Sequence, residues 1–248
     1  MTMAKASQEP LAAIGIIMLD TTFPRIIGDV GNPDTFSFPV AYKKVTGACP
    51  KRVVEEGDRS LIAPFIQAGQ ELVANGVKAL ATSCGFLALF QPELTRALPV
   101  PVFTSSLLQA HFIYPTLKAG QKIGILTASK ASLTGRHLAA VGIDRYPLAV
   151  VGMDDAPEFR SVFLEGKTTL DASRCQHELL AAVDKLLCSH ENIGALILEC
   201  TNMGPYAPAI ACHTKLPVYD VVTMITCIHS TVSMSSRPQL SQLDETIL

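Results

Sequence analysis

Apolar residues in this chain fall into short uninterrupted runs, and between the runs they recur every three or four positions. The runs predict strands buried on both faces, and the longer spacing predicts amphipathic helices. Ile14 to Leu19 is the first such strand. Asp20 to Pro39, with three prolines and two glycines, follows as a long loop of the kind that usually carries function. Strand Val40–Val45, helix Asp58–Ala74 capped by Asp58, strand Val77–Ser83, helix Phe86–Leu98 with Pro92 restarting or kinking it, strand Val100–Phe103 and helix Leu107–Lys118 complete a first cycle. A second runs through strand Ile123–Thr127, helix Ser132–Val141, strand Leu148–Val151, helices Pro157–Glu165 and Leu170–Cys188, strand Ile193–Leu198, helix Pro205–Cys212, strand Leu216–Tyr219 and a last helix, capped by Asp220, to Val232.

Alternating strands and helices predict an α/β protein of parallel sheets flanked by helices. The two cycles are loosely related. Ile14-Gly15-Ile16 echoes Ile123-Gly124-Ile125, and Leu98-Pro99-Val100 echoes Leu216-Pro217-Val218. The most telling match is Ser83-Cys84 against Glu199-Cys200. Each cysteine lies just past an apolar strand, before a turn and a helix. Ligands of open parallel sheets bind outside the carboxyl ends of the strands. Two thiols placed there by related halves can face one another across a cleft, one removing a proton and the other returning it. The positive end of a helix is expected to lower each thiol's pKa towards neutrality.

Composition narrows the picture. A net charge of −2 offers no basic footprint for nucleic acid, and no apolar run has transmembrane length. Seven cysteines without a framework or metal-ligand spacing suggest reduced thiols in a cytoplasmic protein with no metal site. Residues 1–10 lack a signal peptide's apolar core; they and 233–248 read as flexible tails. Gly166-Lys167-Thr168-Thr169 lacks the leading glycine of a phosphate loop, and Gly28 to Gly31 lacks the third glycine of a dinucleotide fingerprint, so no cofactor is expected. Cys175, Cys188, Cys212 and Cys227 read as inert buried thiols. His111 and His213 read as packed or solvated, and Arg25, Lys44 and Arg160 as solvated surface charges. Thr82, Ser83, Thr127, Ser129, Thr201 and Asn202 cluster at predicted strand ends, where hydroxyls and amides can bind a substrate carboxylate.

On the paired cysteines, Thr82-Ser83-Cys84-Gly85-Phe86, Glu199-Cys200-Thr201-Asn202 and Leu216-Pro217-Val218-Tyr219-Asp220, the chain resembles the aspartate/glutamate racemase superfamily, which needs no pyridoxal phosphate. The resemblance spans roughly residues 11–232. It implies two similar Rossmann-like lobes (11–118 plus 219–232, and 119–218) about a pseudo-twofold, with the active site between them. Cys84 and Cys200 would be the catalytic acid and base. Asp20 with Thr21 stands where the family carries an Asp-Ser pair. Gly85 and Phe86 follow the first cysteine in place of Asn-Thr, and Asn202 replaces a histidine after the second. Those residues, with Asn32 and Phe36 of the long loop, are expected to line the pocket. The implied activity is cofactor-independent racemisation or epimerisation of a small amino acid or related carboxylate, placing the chain in amino-acid metabolism as a homodimer or higher homo-oligomer. Maleate-type cis–trans isomerisation, hydantoin racemisation and a non-catalytic acid-binding module are the alternatives.

Overall fold

The computed structural model describes residues 12–234. Leu11 and the expected tails, apart from Ser233 and Met234, lie outside the described residues. The first half contains β1 (Ile14–Met18), β2 (Val40–Lys44), α1 (Ile62–Ala74), β3 (Ala79–Thr82), α2 (Gln91–Ala97), β4 (Val102–Phe103) and α3 (Ala110–Ile113). The second contains β5 (Lys122–Thr127), α4 (Gly135–Ala140), β6 (Leu148–Gly152), α5 (Pro157–Phe163), α6 (Ala172–Ser189), β7 (Ile193–Leu198), α7 (Ala207–Thr214), β8 (Val218–Tyr219) and α8 (Val221–Val232).

The strands form two four-stranded parallel sheets of identical order, β2-β1-β3-β4 and β6-β5-β7-β8. The expected α/β architecture of two lobes is therefore present. Every residue of β1 and β3 is buried, as a strand covered on both faces requires. The two halves also exchange their coverings. Leu107, Ala110 and Ile113, from the first half, pack on Ile123, Ile125, Ala195 and Ile197 of the second sheet. Val221, Met224 and Ile225 of α8 pack on Ile14, Ile16, Ala79 and Ala81 of the first. A third cluster runs from Phe65 and Leu80 through Phe86 and Cys200 to Phe159 and Leu179, so one core is continuous across both lobes.

Several expected helices are broken by tighter turns. The stretch after Cys84 is a 3₁₀ turn, Gly85–Phe90, followed by α2 with Pro92 in its first turn, where a missing N–H costs nothing. The stretch after Cys200 repeats this, with 3₁₀ residues Thr201–Tyr206 before α7. The expected helix 107–118 reduces to α3 between two 3₁₀ turns, Ser106–Gln109 and Tyr114–Thr116. A π-helical turn at Lys51–Glu55 has no periodic signal in the sequence. Caps fall where polar residues meet apolar spacing. Asp58 accepts from the Ser60 N–H, and Asp220 accepts from the Thr223 N–H at 2.7 Å. Asp171 accepts from the Arg174 N–H at 3.0 Å at the start of α6. Replacing Asp171 with alanine is expected to lower stability by about 1 kcal/mol, read as a shifted urea midpoint at unchanged slope.

Candidate active site

β3 and β7 occupy the same place in their sheets, so Cys84 and Cys200 leave equivalent strand ends. Each is the extended residue that caps the following 3₁₀ turn. The two meet in one small chamber of about 20 Å³, walled by Ser83, Gly85, Phe86, Thr201 and Asn202 from the strand ends. The loop after β1 adds Thr21, Phe23 and Arg25, and α5 with the residue that follows it adds Phe163 and Leu164. Space of that size holds one water. Phe23 from one lobe meets Phe163 from the other edge to face, with centroids 5.1 Å apart. Outside lies a groove of about 410 Å³ that shares Thr21, Phe23, Pro50 and Leu164 with the chamber.

Hydrogen bonds tie the walls together. The Thr201 hydroxyl donates to the Ser83 carbonyl across the lobes at 2.7 Å. The Ser83 hydroxyl accepts from the Leu19 N–H. The Cys200 thiol donates to Asn202 Oδ1 at 3.5 Å, while Asn202 Nδ2 donates to Asp29 Oδ2 at 2.8 Å. Asp29 in turn accepts from Arg25 Nη1 at 2.6 Å. Arg25 also donates to Thr21 and lies over the Phe23 ring at 4.7 Å. The Cys84 sulfur faces the backbone N–H groups of Phe86 and Leu87.

The thiols are not activated at rest, contrary to expectation. Burial, with the nearby Glu199 carboxylate, pushes Cys84 up to about 12 and Cys200 well above the usual thiol range. The N–H groups of the short 3₁₀ turns pull the other way and are outweighed. Dehydration of a thiolate costs more than such a turn returns.

The expected site residues divide. Ser83, Gly85, Phe86, Thr201 and Asn202 line the chamber with the two cysteines. Thr82 is held behind it by the Thr104 carbonyl, and Thr127 by the Glu199 carboxylate. Ser129 is bound to Asp154, and Asp20 to the Gly47 N–H in the outer groove. Asn32 donates to the Arg25 carbonyl and caps a turn, and Phe36 is buried in the core under α8. These six do not reach the chamber, because each spends its polar group on backbone or neighbour, or its ring on packing.

Arg25 was expected to be solvated, but its side chain is only 14 % exposed and borders the chamber. A basic residue in a functional loop, four positions before an aspartate, was the available signal. Lys44 and Arg160 are surface residues, paired with Asp20 and Glu165. Of the four cysteines expected to be inert in the core, Cys175 is buried. Cys188, Cys212 and Cys227 are exposed on α6, α7 and α8.

Gly85 has no room for a side chain, since a Cβ there would collide with the backbone oxygen and Oε1 of Glu199. Gly85→Ala is expected to lower stability by about 1–3 kcal/mol and to displace Cys84. A thermal melt and an alkylation assay of Cys84 measure the two effects.

Solved structures with this fold include the glutamate racemase isoform RacE1 from Bacillus anthracis. It shares 18 % identity at a TM-score of 0.58 over 91 % of this chain and 82 % of that one. Allantoin racemase from Pseudomonas fluorescens shares 15 % at 0.59, over 90 % and 92 %. The chain has the aspartate/glutamate racemase fold. No family model matches it. Within this fold the curated relatives are of another activity. Dimethylsulfoniopropionate lyase 5 of Emiliania huxleyi is 28 % identical over 92 % of the chain and 47 % of the relative. Lyase 7 of the same organism is 30 % identical over 85 % and 64 %. The lyase of Durusdinium sp. clade D is 28 % identical over 85 % and 72 %. The chain thus spans about half to three quarters of the length of these relatives. They overturn the expected racemase, isomerase or binding-module reading. The fold and the cysteine pair pointed to proton transfer at a carbon beside a carboxylate, and that step also begins an elimination.

Proposed function

We propose that the chain is a lyase acting on dimethylsulfoniopropionate or a close β-sulfonio carboxylate. The observation that carries this reading is the convergence of Cys84 and Cys200 on one closed chamber, in a chain related along most of its length to lyases of that name. The substrate is a carboxylate whose α-carbon bears the acidic hydrogen and whose β-carbon bears the sulfonium. One thiolate takes the α-proton and becomes a thiol. The C–H electron pair forms the Cα–Cβ double bond, and the Cβ–S bond breaks with its pair going to sulfur. Neutral dimethyl sulfide and acrylate are the products. No oxidant or reductant enters the balance. The departing sulfide needs no proton, so one base suffices.

The remaining walls suit this substrate. Arg25, the Ser83 hydroxyl and the second amide hydrogen of Asn202 can hold a carboxylate and stabilise negative charge that develops on it. Phe23, Phe86 and Phe163 offer ring faces and edges to the methyl groups and charge of a sulfonium. The substrate is larger than the chamber, so Phe23 and Phe163 must part to admit it from the outer groove. Their closure then excludes water from the reacting carbanion.

The test is direct. The purified chain is incubated with dimethylsulfoniopropionate, with dimethyl sulfide followed by headspace gas chromatography and acrylate by proton NMR. Equimolar release of both is expected. Substrate recovered intact, under conditions where the protein is folded, sinks the reading.

A further inference from the structure

Glu199 lies beside Cys200 in the chain and is fully buried, at 0 % exposure. Its Oε2 accepts from the Thr127 hydroxyl at 2.8 Å, and the Ala128 N–H also bonds the carboxylate. Its Oε1 is buried without a hydrogen-bond partner. The carboxyl group occupies the space where a side chain on Gly85, the residue after the other cysteine, would have to go. A carboxylate wedged behind both thiols, with one oxygen unsatisfied, is a costly arrangement for structure alone.

We infer that Glu199 and the two thiols share a single negative charge, so that Glu199 is a positioning residue that sets when a thiolate can form. With Glu199 ionised, a thiolate would add a second negative charge to the same dry space. With Glu199 protonated, the charge can reside on sulfur. Ionising a thiol is therefore coupled to proton uptake by Glu199, and the three groups titrate as a unit. Burial supports this by pushing the Glu199 carboxyl up to about 7. The other ionisable groups around the site leave this coupling in place. Asp29, paired with Arg25 on the loop side, adds to Glu199 in disfavouring a thiolate at Cys200. Burial lowers the pKa of His137, on the face of α4 that packs against Phe86. Asp154 is held as a carboxylate by Ser129 and the Lys130 N–H. Arg25 favours a thiolate at Cys84, opposing Glu199.

The inference deepens the lyase reading by assigning control of its base, but its test is independent of turnover. Iodoacetamide modification of Cys84 and Cys200 is followed against pH, with each site resolved by mass spectrometry, in the wild type, Glu199→Gln and Thr127→Val. Glu199→Gln removes the competing seat for the charge, so alkylation is expected to begin at least about one pH unit lower. That is about tenfold faster at a fixed pH below the midpoint. Thr127→Val removes a bond that favours the ionised carboxylate and is expected to shift the profile the same way by less.

A second readout is stability against pH. A carboxyl raised from 4.5 to about 7 binds its proton more tightly when folded, so stability is lost as pH rises between those values. Glu199→Gln is expected to flatten that fall. Alkylation profiles that superimpose in all three proteins overturn the inference. Absence of dimethyl sulfide from the wild type would overturn the lyase reading and leave the alkylation result standing.

Discussion

Serine at Cys84 and serine at Cys200 are expected to give unequal losses of dimethyl sulfide release. The variant that lacks the base falls by about 10²–10⁴-fold in kcat, the range for losing a positioned proton acceptor. The other falls by less, since elimination returns no proton to carbon. A hydroxyl nearly matches the volume of a thiol but ionises far less readily, so the chamber keeps its shape while its chemistry is lost. Both sulfurs border the same chamber, and Cys200 is already oriented by Asn202. Steady-state kinetics of the two variants, beside thermal melts that confirm folding, decide the matter. Full activity in both would leave the chamber without a base. Equal and complete loss in both would point instead to a reaction that needs an acid as well.

Arg25→Met is expected to be the most destabilising single change near the site. Asp29 is 3 % exposed on its side chain and faces Arg25 Nη1 at 2.6 Å. Removing the guanidinium strands a carboxylate in the interior, at a cost of about 3–5 kcal/mol. The damage should spread, because Asp29 also accepts from the Gly31 N–H and orients Asn202, whose Oδ1 accepts the hydrogen bond of the Cys200 thiol. Arg25→Met combined with Asp29→Asn removes both charges and is expected to recover much of the stability. Chemical denaturation of the two single variants and the pair gives the coupling as a double-mutant cycle. A pair no more stable than Arg25→Met alone would mean that the contact of the Arg25 guanidinium with the Phe23 ring is what matters.

The fold and the meeting of the two thiols in one chamber were legible because they depend on local pattern. Ala79–Thr82 and Ile193–Leu198 are buried strands, and a cysteine two residues beyond each lands at a sheet's carboxyl edge. The turns after the cysteines were less legible. The apolar spacing of Gly85 to Phe90 suits a helix, but Pro92 lets the true helix start only afterwards. Thr127 and Ser129 show the limit of reading hydroxyls at strand ends. Both lie where a ligand could bind, and both are used internally, by Glu199 and Asp154.

The sequence by itself determined two repeated α/β halves, parallel sheets and a pair of thiols at matching strand ends, since strand period, turn chemistry and residue order are written along the chain. Only the tertiary structure decided the environment of those thiols. Closing the lobes brings Arg25 and Asp29, on one loop, together with Glu199 from a distant stretch of chain and largely removes water from them. Charges buried together set one another's protonation, and their distances exist only after folding. That is why the expected helix-end activation of the cysteines gave way to burial and to the carboxylate behind them.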